Sequence, residues 1–485
     1  MRVFGYIEYF VFGIYMSDEK KFTSGNLWKQ MLLFCLPLMS SNLLQVLFNM
    51  SDIAVVGRFS DSGSKAIGAV GSTVTLVTLY TGILIGMGSG VNVLVARFFG
   101  AGDEENVKKS VHTSVIICFI MGVILAVVGF FSANAFLNML GTKDTLIDGA
   151  RTYLKIYVLG MPAVALYNFG HGTFSAIGNT KKPLLFLFAS GVLNVVLNLF
   201  FVIVFKMDVA GVSLASVISQ YLSAILVLIA LMREKGAYKL TFSSLKLSGD
   251  KVGELLALGL PAGFQNSIFS MANLIIQSAV NTFPSITVEG NSAASNADAL
   301  VYHLMDAVYI ACASFIGQNY GARQKERILH SYLISNVYSF AIGAIIGGSL
   351  ALFGNAFLSI FTNDSAVIAE GMVRLRIMGL SYCISAFMDS TISASRGIGK
   401  TVVATVIVIM GSCVFRVVWI LTVFAHYKTI ASIYLLYPCS WTITAVAEVL
   451  YFVFAYKKAA RKIDEEKAKE LKKEKAADAE PSASA

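Results

Sequence analysis

The sequence predicts an all-α integral membrane protein with twelve transmembrane helices in two pseudo-symmetric six-helix bundles. The first observation is composition: 56% of the 485 residues are hydrophobic and only 14% are charged, against about 25% charged in a typical soluble domain. The second is distribution. Apolar runs recur from Leu32 to Tyr456 between short polar breaks, and many reach the roughly 20 residues that cross a hydrocarbon core as a helix. Helices satisfy their own backbone groups, as lipid demands, and no sustained period-2 alternation suggests a β-barrel. The third is an internal repeat. Leu36-Pro37-x4-Asn42-x6-Asn49 aligns with Leu260-Pro261-x4-Asn266-x6-Asn273. Phe99-Gly100-Ala101 aligns with Tyr320-Gly321-Ala322, Ala135-Phe136-Leu137 with Ala356-Phe357-Leu358, and Ile177-Gly178-x-Thr180 with Ile398-Gly399-x-Thr401, at an offset of 221 to 224 residues throughout. Six helices per half keep the copies in one orientation, related by an axis along the membrane normal.

The expected helices follow the apolar runs in order. The first half holds residues 32–57, 66–97, 108–132, 147–176, 183–205 and 210–232. The second half holds 252–281, 294–318, 328–353, 366–395, 401–424 and 431–456. This divides the chain into an N-terminal extension (1–25), an N-lobe (26–232), a linker (233–250), a C-lobe (251–457) and a charged tail (458–485). Lys and Arg set the expected orientation, with both termini cytoplasmic. The inside connections then hold Lys108, Lys109, Lys181, Lys182, Arg233, Lys235, Lys239, Lys246, Arg323, Lys325, Arg327, Arg396 and Lys400. The outside connections hold only Arg58, Lys65, Lys143, Lys206 and Lys428. Arg151/Lys155 and Arg374/Arg376 run against this bias at outer ends and are expected to snorkel. The net charge of +9 is therefore mostly topology, and no nucleic-acid partner is expected.

Residues 1–16 are apolar but interrupted by Glu8, with no small-residue cleavage site, so no cleaved signal peptide is expected. Met16 is an alternative start, and an interfacial segment is the other reading. The tail alternates Lys and Glu and reads as a frayed, solvated helix. The six cysteines lie scattered in apolar spans without metal spacing. Gly82, Gly86 and Gly90, four residues apart, point to close helix packing rather than a phosphate cradle.

Several segments together resemble one family. Pro37, Gln45, Asn49 and Ser51-Asp52-x4-Gly57 in the first helix resemble the signature of the multidrug and toxic compound extrusion (MATE) family. So do Val95 to Asp103, Ala176 to Lys181, Gly211 to Gln220, Gly259 to Gln265, Gly317 to Ala322 and Ser395 to Gly399. The resemblance covers about residues 25–457 and is greatest to the bacterial, DinF-like branch. It implies a secondary exporter of organic cations and other amphiphiles, driven by inward H⁺ or Na⁺. It implies no cofactor, a bacterial cytoplasmic membrane location, membrane lipid as surroundings and a monomer as the working unit.

Charge inside a membrane costs about 2.5–3.5 kcal/mol for Asp at a helix centre on insertion scales, so each such residue is a candidate. Asp52 follows Gln45 and Asn49 along the first helix, and Asn49 shares its face by i,i+3 spacing. The resemblance makes Asp52 the N-lobe ion-coupling group, open to H⁺ or Na⁺; the plain alternative is a structural cap. Asn194 and Asn198, one turn apart in the fifth helix, are its expected neighbours, or else interhelical glue. Relatives often carry an acid where Asn198 stands, which leaves Asp52 the sole acid there.

Cavity or gating candidates lie in the second half. Asp389 stands seven residues before Arg396, with which an end-of-helix ion pair is the alternative. Asp306 has His303 at i−3, placed to pair, and Gln265 and Asn266 are polar positions of the seventh helix. Asp298, near an outer end, reads as solvated. Arg416 and Glu448 lie at different depths, so a direct pair is not expected. His171 reads as a satisfied core group. Pro37 is the expected hinge of the first helix. The rival of the same architecture is a flippase for lipid-linked glycans, which needs a broad cationic cavity; Arg151 and Arg374 are too few. An intramembrane enzyme lacks any nucleophile–base or metal constellation, and a receptor lacks a sensory domain. The halves agree at Pro37/Pro261 and differ at Asp52/Ile276 and Asp389/Asn168, so chemistry is expected where the copies differ.

Overall fold

The computed structural model describes residues 21–60 and 63–479, so the expectations on residues 1–16 lie outside the described residues. The first helix, α1 (Leu27–Phe59), opens where the Asn26 side chain accepts from the Lys29 amide at 3.2 Å. An N-cap of this kind satisfies one of the free amides of a first turn. The second helix, α2 (Ser64–Ala101), ends at Gly102, whose φ of 71° suits a left-handed cap. Asp103 then caps α3 (Glu104–Met139), accepting from the Asn106 amide at 3.0 Å.

The fourth helix, α4, consists of Asp144–Tyr157, a 3-10 turn at Val158–Gly160, and Met161–Ala176. The break immediately precedes Pro162, which has no amide proton to continue an α ladder. Then come α5 (Lys181–Val204, ending in a π turn at Phe200–Val204) and α6 (Asp208–Arg233). After the linker stand α7 (Gly249–Val280), α8 (Ser285–Gly321), α9 (Lys325–Leu358) and α10 (Ser365–Gly397). The last two are α11 (Thr401–Tyr427) and α12 (Ile430–Ala479). No strand occurs among the described residues. Ten of these helices are long and apolar enough to cross a membrane. The other two are α4, broken at its 3-10 turn, and α10, which carries Glu370, Arg374, Arg376, Asp389 and Arg396.

The internal repeat is visible in the backbone. Gly178 and Gly399, mates at the offset of 221 residues, both hold positive φ, at 87° and 80°. Gly102 (71°) has as its mate Arg323, held at 55° without a glycine's freedom. The π turn at Phe200–Val204 returns at Ile420–Phe424.

Two elements depart from expectation: α8 starts at Ser285 rather than 294, and α12 runs past its apolar span. The charged tail is not a separate frayed piece, because α12 continues from the apolar span to Ala479 without a break. Ile463 is buried, Lys325 pairs with Asp464 at 2.7 Å, and Arg323 reaches Glu466 at 3.3 Å and Glu470 at 2.5 Å. Those contacts hold the extension against the α8–α9 turn.

Each half builds its own apolar core, with Tyr80, Phe169, Phe174 and Phe186 in the first and Met378, Ile433 and Tyr434 in the second. The halves meet along α2 and α7 and along α1 and α8. A Cβ at Gly86 would stand 2.1 Å from the backbone nitrogen of Gly263, and one at Gly90 2.7 Å from that of Gly259. The four-residue glycine spacing is therefore a seam between lobes. Near the termini a Cβ at Gly321 would lie 1.8 Å from the Arg97 carbonyl oxygen. Both described ends share this face, since the Phe22 amide donates to Gln318 at 2.8 Å. Among the described residues, every hydrogen bond joining the lobes lies between this face and the level of Leu79, Asn42 and His303.

Candidate functional site

In the N-lobe, α1, α5 and α6 bring Asp52, Asn194, Asn198 and Ser216 into one enclosed cluster. Asn198 Nδ2 donates to Asp52 Oδ1 at 2.5 Å and to Asn194 Oδ1 at 3.2 Å. Ser216 Oγ donates to Asp52 Oδ2 at 3.2 Å and accepts from Asn194 Nδ2 at 3.4 Å. The carboxylate is held only by neutral donors, and no salt bridge joins it to a cation among the described residues. Asn198 Oδ1 is buried beside it without a partner. Tyr153 and Tyr157 of α4 lie within electrostatic reach.

Ser216 was not among the residues expected here; the run Ser213, Ser216, Ser219 along one face of α6 was the signal available. Conversely, Gln45 and Asn49 do not join the cluster, and both are exposed. Asp52 is turned towards α5 and α6, while the positions one and two turns earlier point away from that contact. Helix spacing put Asn49 near Asp52 along α1, but the neighbouring helices decide which of them is enclosed. Pro37 lies inside α1, which continues past it; its missing amide leaves one backbone bond unmade.

The C-lobe candidates separate into two places. His303 and Asp306 sit where α8 meets α1. Asn42 Nδ2 donates to the His303 carbonyl at 2.8 Å and to Asp306 Oδ2 at 3.2 Å, so Asn42 links the two rather than a direct side-chain bond. Asn266 lies on the seam, donating to the Gly82 carbonyl at 3.3 Å. Gln265 is buried within the C-lobe instead, where its Oε1 accepts from Arg396 Nη2 at 2.9 Å and Thr405 at 3.4 Å. Asp389 faces the same interior, within electrostatic reach of Arg396, Asp306 and Arg416 but without a short bond to Arg396.

Three other expectations change. Asp298 is not solvated. It accepts from Arg374 Nε at 2.8 Å and from Tyr382 Oη, while Arg374 Nη1 donates to Asn291 at 2.6 Å. Arg374 therefore does not snorkel; it lies buried under the Tyr434 and Tyr437 rings. The ion pair, the hydrogen bond to Asn291 and the two rings offset the desolvation penalty that snorkelling would otherwise relieve. His171 makes no hydrogen bond among the described residues and rests near Tyr167, with ring centroids 6.2 Å apart. Arg416 and Glu448 do not meet: Arg416 donates to Ser440 at 3.2 Å and lies over the Tyr437 ring.

Two matches to the MatE family model cover residues 37–200 and 261–422, one in each lobe and together well over half the chain. The chain belongs to the MatE family. A probable multidrug resistance protein, YoeA of Bacillus subtilis, is 27% identical over 91% of this MatE chain and 97% of its own length. A probable multidrug resistance protein, NorM of Thermotoga maritima, is 26% identical over 77% and 80%. A relative from Shewanella oneidensis, 22% identical over 73% and 78%, is named an FAD transporter. A MOP-superfamily transporter from Pyrococcus furiosus shares the fold at TM-score 0.85 and 20% identity, covering 91% of this chain and 99% of its own. A MATE transporter in an outward-facing conformation superposes at TM-score 0.84 and 20% identity, over 92% and 99%.

This MatE chain is thus a multi-pass membrane protein of a multidrug efflux transporter family, whose members are transporters rather than enzymes. Among its described residues no group of three or more His, Cys, Asp or Glu could hold a metal ion. The oxygen donors around Asp52 fit a proton or a hard monovalent cation. The flippase alternative loses both of its arginines, since Arg374 is paired with Asp298 and Arg151 with Asp148 at 2.9 Å.

Proposed function

We propose that this chain exports organic cations and other amphiphilic small molecules by antiport against H⁺ or Na⁺, through alternating access between its lobes. The observation that carries the reading is the Asp52 cluster. A carboxylate enclosed by the neutral donors Asn198 and Ser216 has no cation to neutralise it. An arriving proton or Na⁺ would supply that charge, and the orphaned Asn198 Oδ1 supplies a further acceptor for it. Neutralising Asp52 loosens its hold on the two donors and so changes how α1 packs on α5 and α6. The missing backbone bond at Pro37 lets α1 bend in response. The same event biases the lobe equilibrium by the difference in ion affinity between the two conformations.

The face that carries the termini is read as cytoplasmic, as the Lys and Arg distribution requires, which puts the glycine seam and the interlobe hydrogen bonds towards that side. The location is the bacterial cytoplasmic membrane, the working unit one chain, with no cofactor beyond the coupling ion. Asp306, His303 and Asn266, lying on or beside the interlobe boundary, are the gating candidates this reading retains.

The experiment is dye transport in inverted vesicles, where export is directed into the lumen, with imposed proton and sodium gradients in turn. Asp52→Asn is expected to abolish gradient-driven efflux while the protein still reaches the membrane. Undiminished efflux by that variant refutes the coupling role. Offering FAD in the medium of the same vesicles tests the anionic substrate named for the Shewanella relative; transport of FAD with no response to cationic dyes refutes the cation reading.

A further inference from the structure

Of the described C-lobe acids that the coupling cluster leaves without a role, Glu448 is the fully buried one. Glu448 of α12 is fully buried, and neither carboxyl oxygen has a hydrogen-bond partner. Arg396 of α10 is close enough to interact electrostatically, but its Nη2 is committed to Gln265 and its Nε is itself buried and unpaired. Two complementary groups, each short of a partner, therefore lie within electrostatic reach without bonding.

The surroundings are a polar stripe inside an apolar lobe. Ser440, Thr444 and Glu448 recur every four residues on one face of α12, all fully buried. At about 1.5 Å per residue the stripe runs about 12 Å along the helix. Arg416 of α11 donates to Ser440 at its far end, and Ser412 and Thr444 share a hydrogen bond of 2.9 Å in the middle. The near end is Glu448. From α10 it faces Arg396 and Asp389, from α9 Tyr332, and along its own helix Tyr451. Among the described residues α7 and α11, also packed on α12, present it no titratable group.

A bare carboxylate with no donor is among the most expensive groups to bury. Burial is tolerable when the charge is removed or when a cation bonds to it. The Arg396 guanidinium already occupies the electrostatic place of a cation, which disfavours a metal ion and leaves the proton as the ligand that fits. From this geometry we infer that Glu448 is a second protonation site, in the C-lobe, separate from the Asp52 cluster. On protonation an O–H bond forms at one Oε and Arg396 keeps Gln265. On release of the proton the carboxylate draws the guanidinium towards α12. Gln265 lies two residues from Gly263, the seam glycine against Gly86. The shared arginine thus places the state of Glu448 one hydrogen bond away from the helix on which the lobes meet.

The inference needs neither a substrate nor the export reading, so its test is separable from both. Purified full-length protein in lipid nanodiscs is stepped across neutral pH while infrared difference spectra follow the carboxylic-acid C=O stretch, in H₂O and D₂O. Wild type is expected to show a deuterium-sensitive band that appears and vanishes reversibly. Asp52→Asn should retain that band and Glu448→Gln should lose it, with thermal unfolding confirming that the variant is folded. If Glu448→Gln does not fold, Glu448→Asp keeps the acid on a shorter stem and should keep the band at a displaced frequency. A Glu448→Gln spectrum that superposes on wild type, or a Glu448→Asp band at the wild-type frequency, overturns the assignment. So does a Glu448 band that does not respond to pH.

Discussion

Asp298 and Arg374 bind α8 to α10, and breaking that pair should be among the most damaging changes available in the C-lobe. Their side chains are only 18% and 9% exposed. Leu at position 298 would leave Arg374 with Asn291 as its hydrogen-bond acceptor and the Tyr434 and Tyr437 rings above it. Removing one partner of a buried pair costs about 3–5 kcal/mol, whereas replacing both by apolar groups is often close to neutral. Asp298→Leu alone should therefore lower the thermal midpoint by roughly 6–20 °C, taking about 2–4 °C per kcal/mol for a unit the size of one lobe. Arg374→Met alone strands Asp298 with Tyr382 as its remaining donor and should cost about as much. The double variant should recover most of the loss, giving a coupling of about 3 kcal/mol or more between the two sites. The assay is thermal unfolding in detergent at one fixed scan rate, because such unfolding is often irreversible and its midpoint then depends on the rate. Single variants within about 2 °C of wild type, or losses that simply add in the double, would refute the reasoning.

Three further outcomes follow from particular contacts. In Gly86→Ala the new methyl meets the Gly263 backbone at 2.1 Å, so the lobes must part there; overpacking of this kind costs about 1–3 kcal/mol. Spin-label distances between the termini-face ends of α2 and α8 should lengthen, and an unchanged distribution counts against the seam. Asp103→Ala removes the cap of α3 at a cost of about 1 kcal/mol. Hydrogen bonds from the Asn106 side chain and amide hold the Asp103 carboxyl below its usual range. That contribution is present above the ordinary carboxylate value and is lost as pH falls through the lowered folded value, so wild type and variant should converge in thermal midpoint in acid. Among the described contacts, deleting the chain from Asp464 removes ion pairs to Arg323, Lys325 and Lys462, and exposed pairs contribute little to stability. A much larger drop in thermal midpoint would show that the extension carries more than charge.

The architecture was legible because membrane helices announce themselves locally. Lipid leaves one economical solution for a long apolar run, and the repeat at 221 residues placed Gly178 and Gly399 in matching turns before any packing was considered. The Asp52, Asn194 and Asn198 grouping was likewise readable from polar residues at helical spacing in apolar spans. Ser216 was not, since a serine in a membrane helix carries little cost and so little signal. Glu448 and Arg416 were visible as charges, but their partners were not, because depth along a helix does not say which way a side chain faces.

The sequence by itself determined how many apolar spans there are and roughly where each lies, that the halves are copies, and which residues are too costly to sit in lipid without reason; it did not show that α8 starts at Ser285 or that α12 runs on to Ala479. What it determined depends on hydrophobicity and spacing along one segment. Only the tertiary structure decided that Asp298 is buried against Arg374 rather than solvated, that Asn49 lies outside the Asp52 cluster, and that Gln265 faces Arg396 within the C-lobe. Those outcomes depend on the rotation of one helix against another. For α8 and α10 the close approach of Gly290 and Gly371 is part of what fixes it, and the period of a single helix does not contain it.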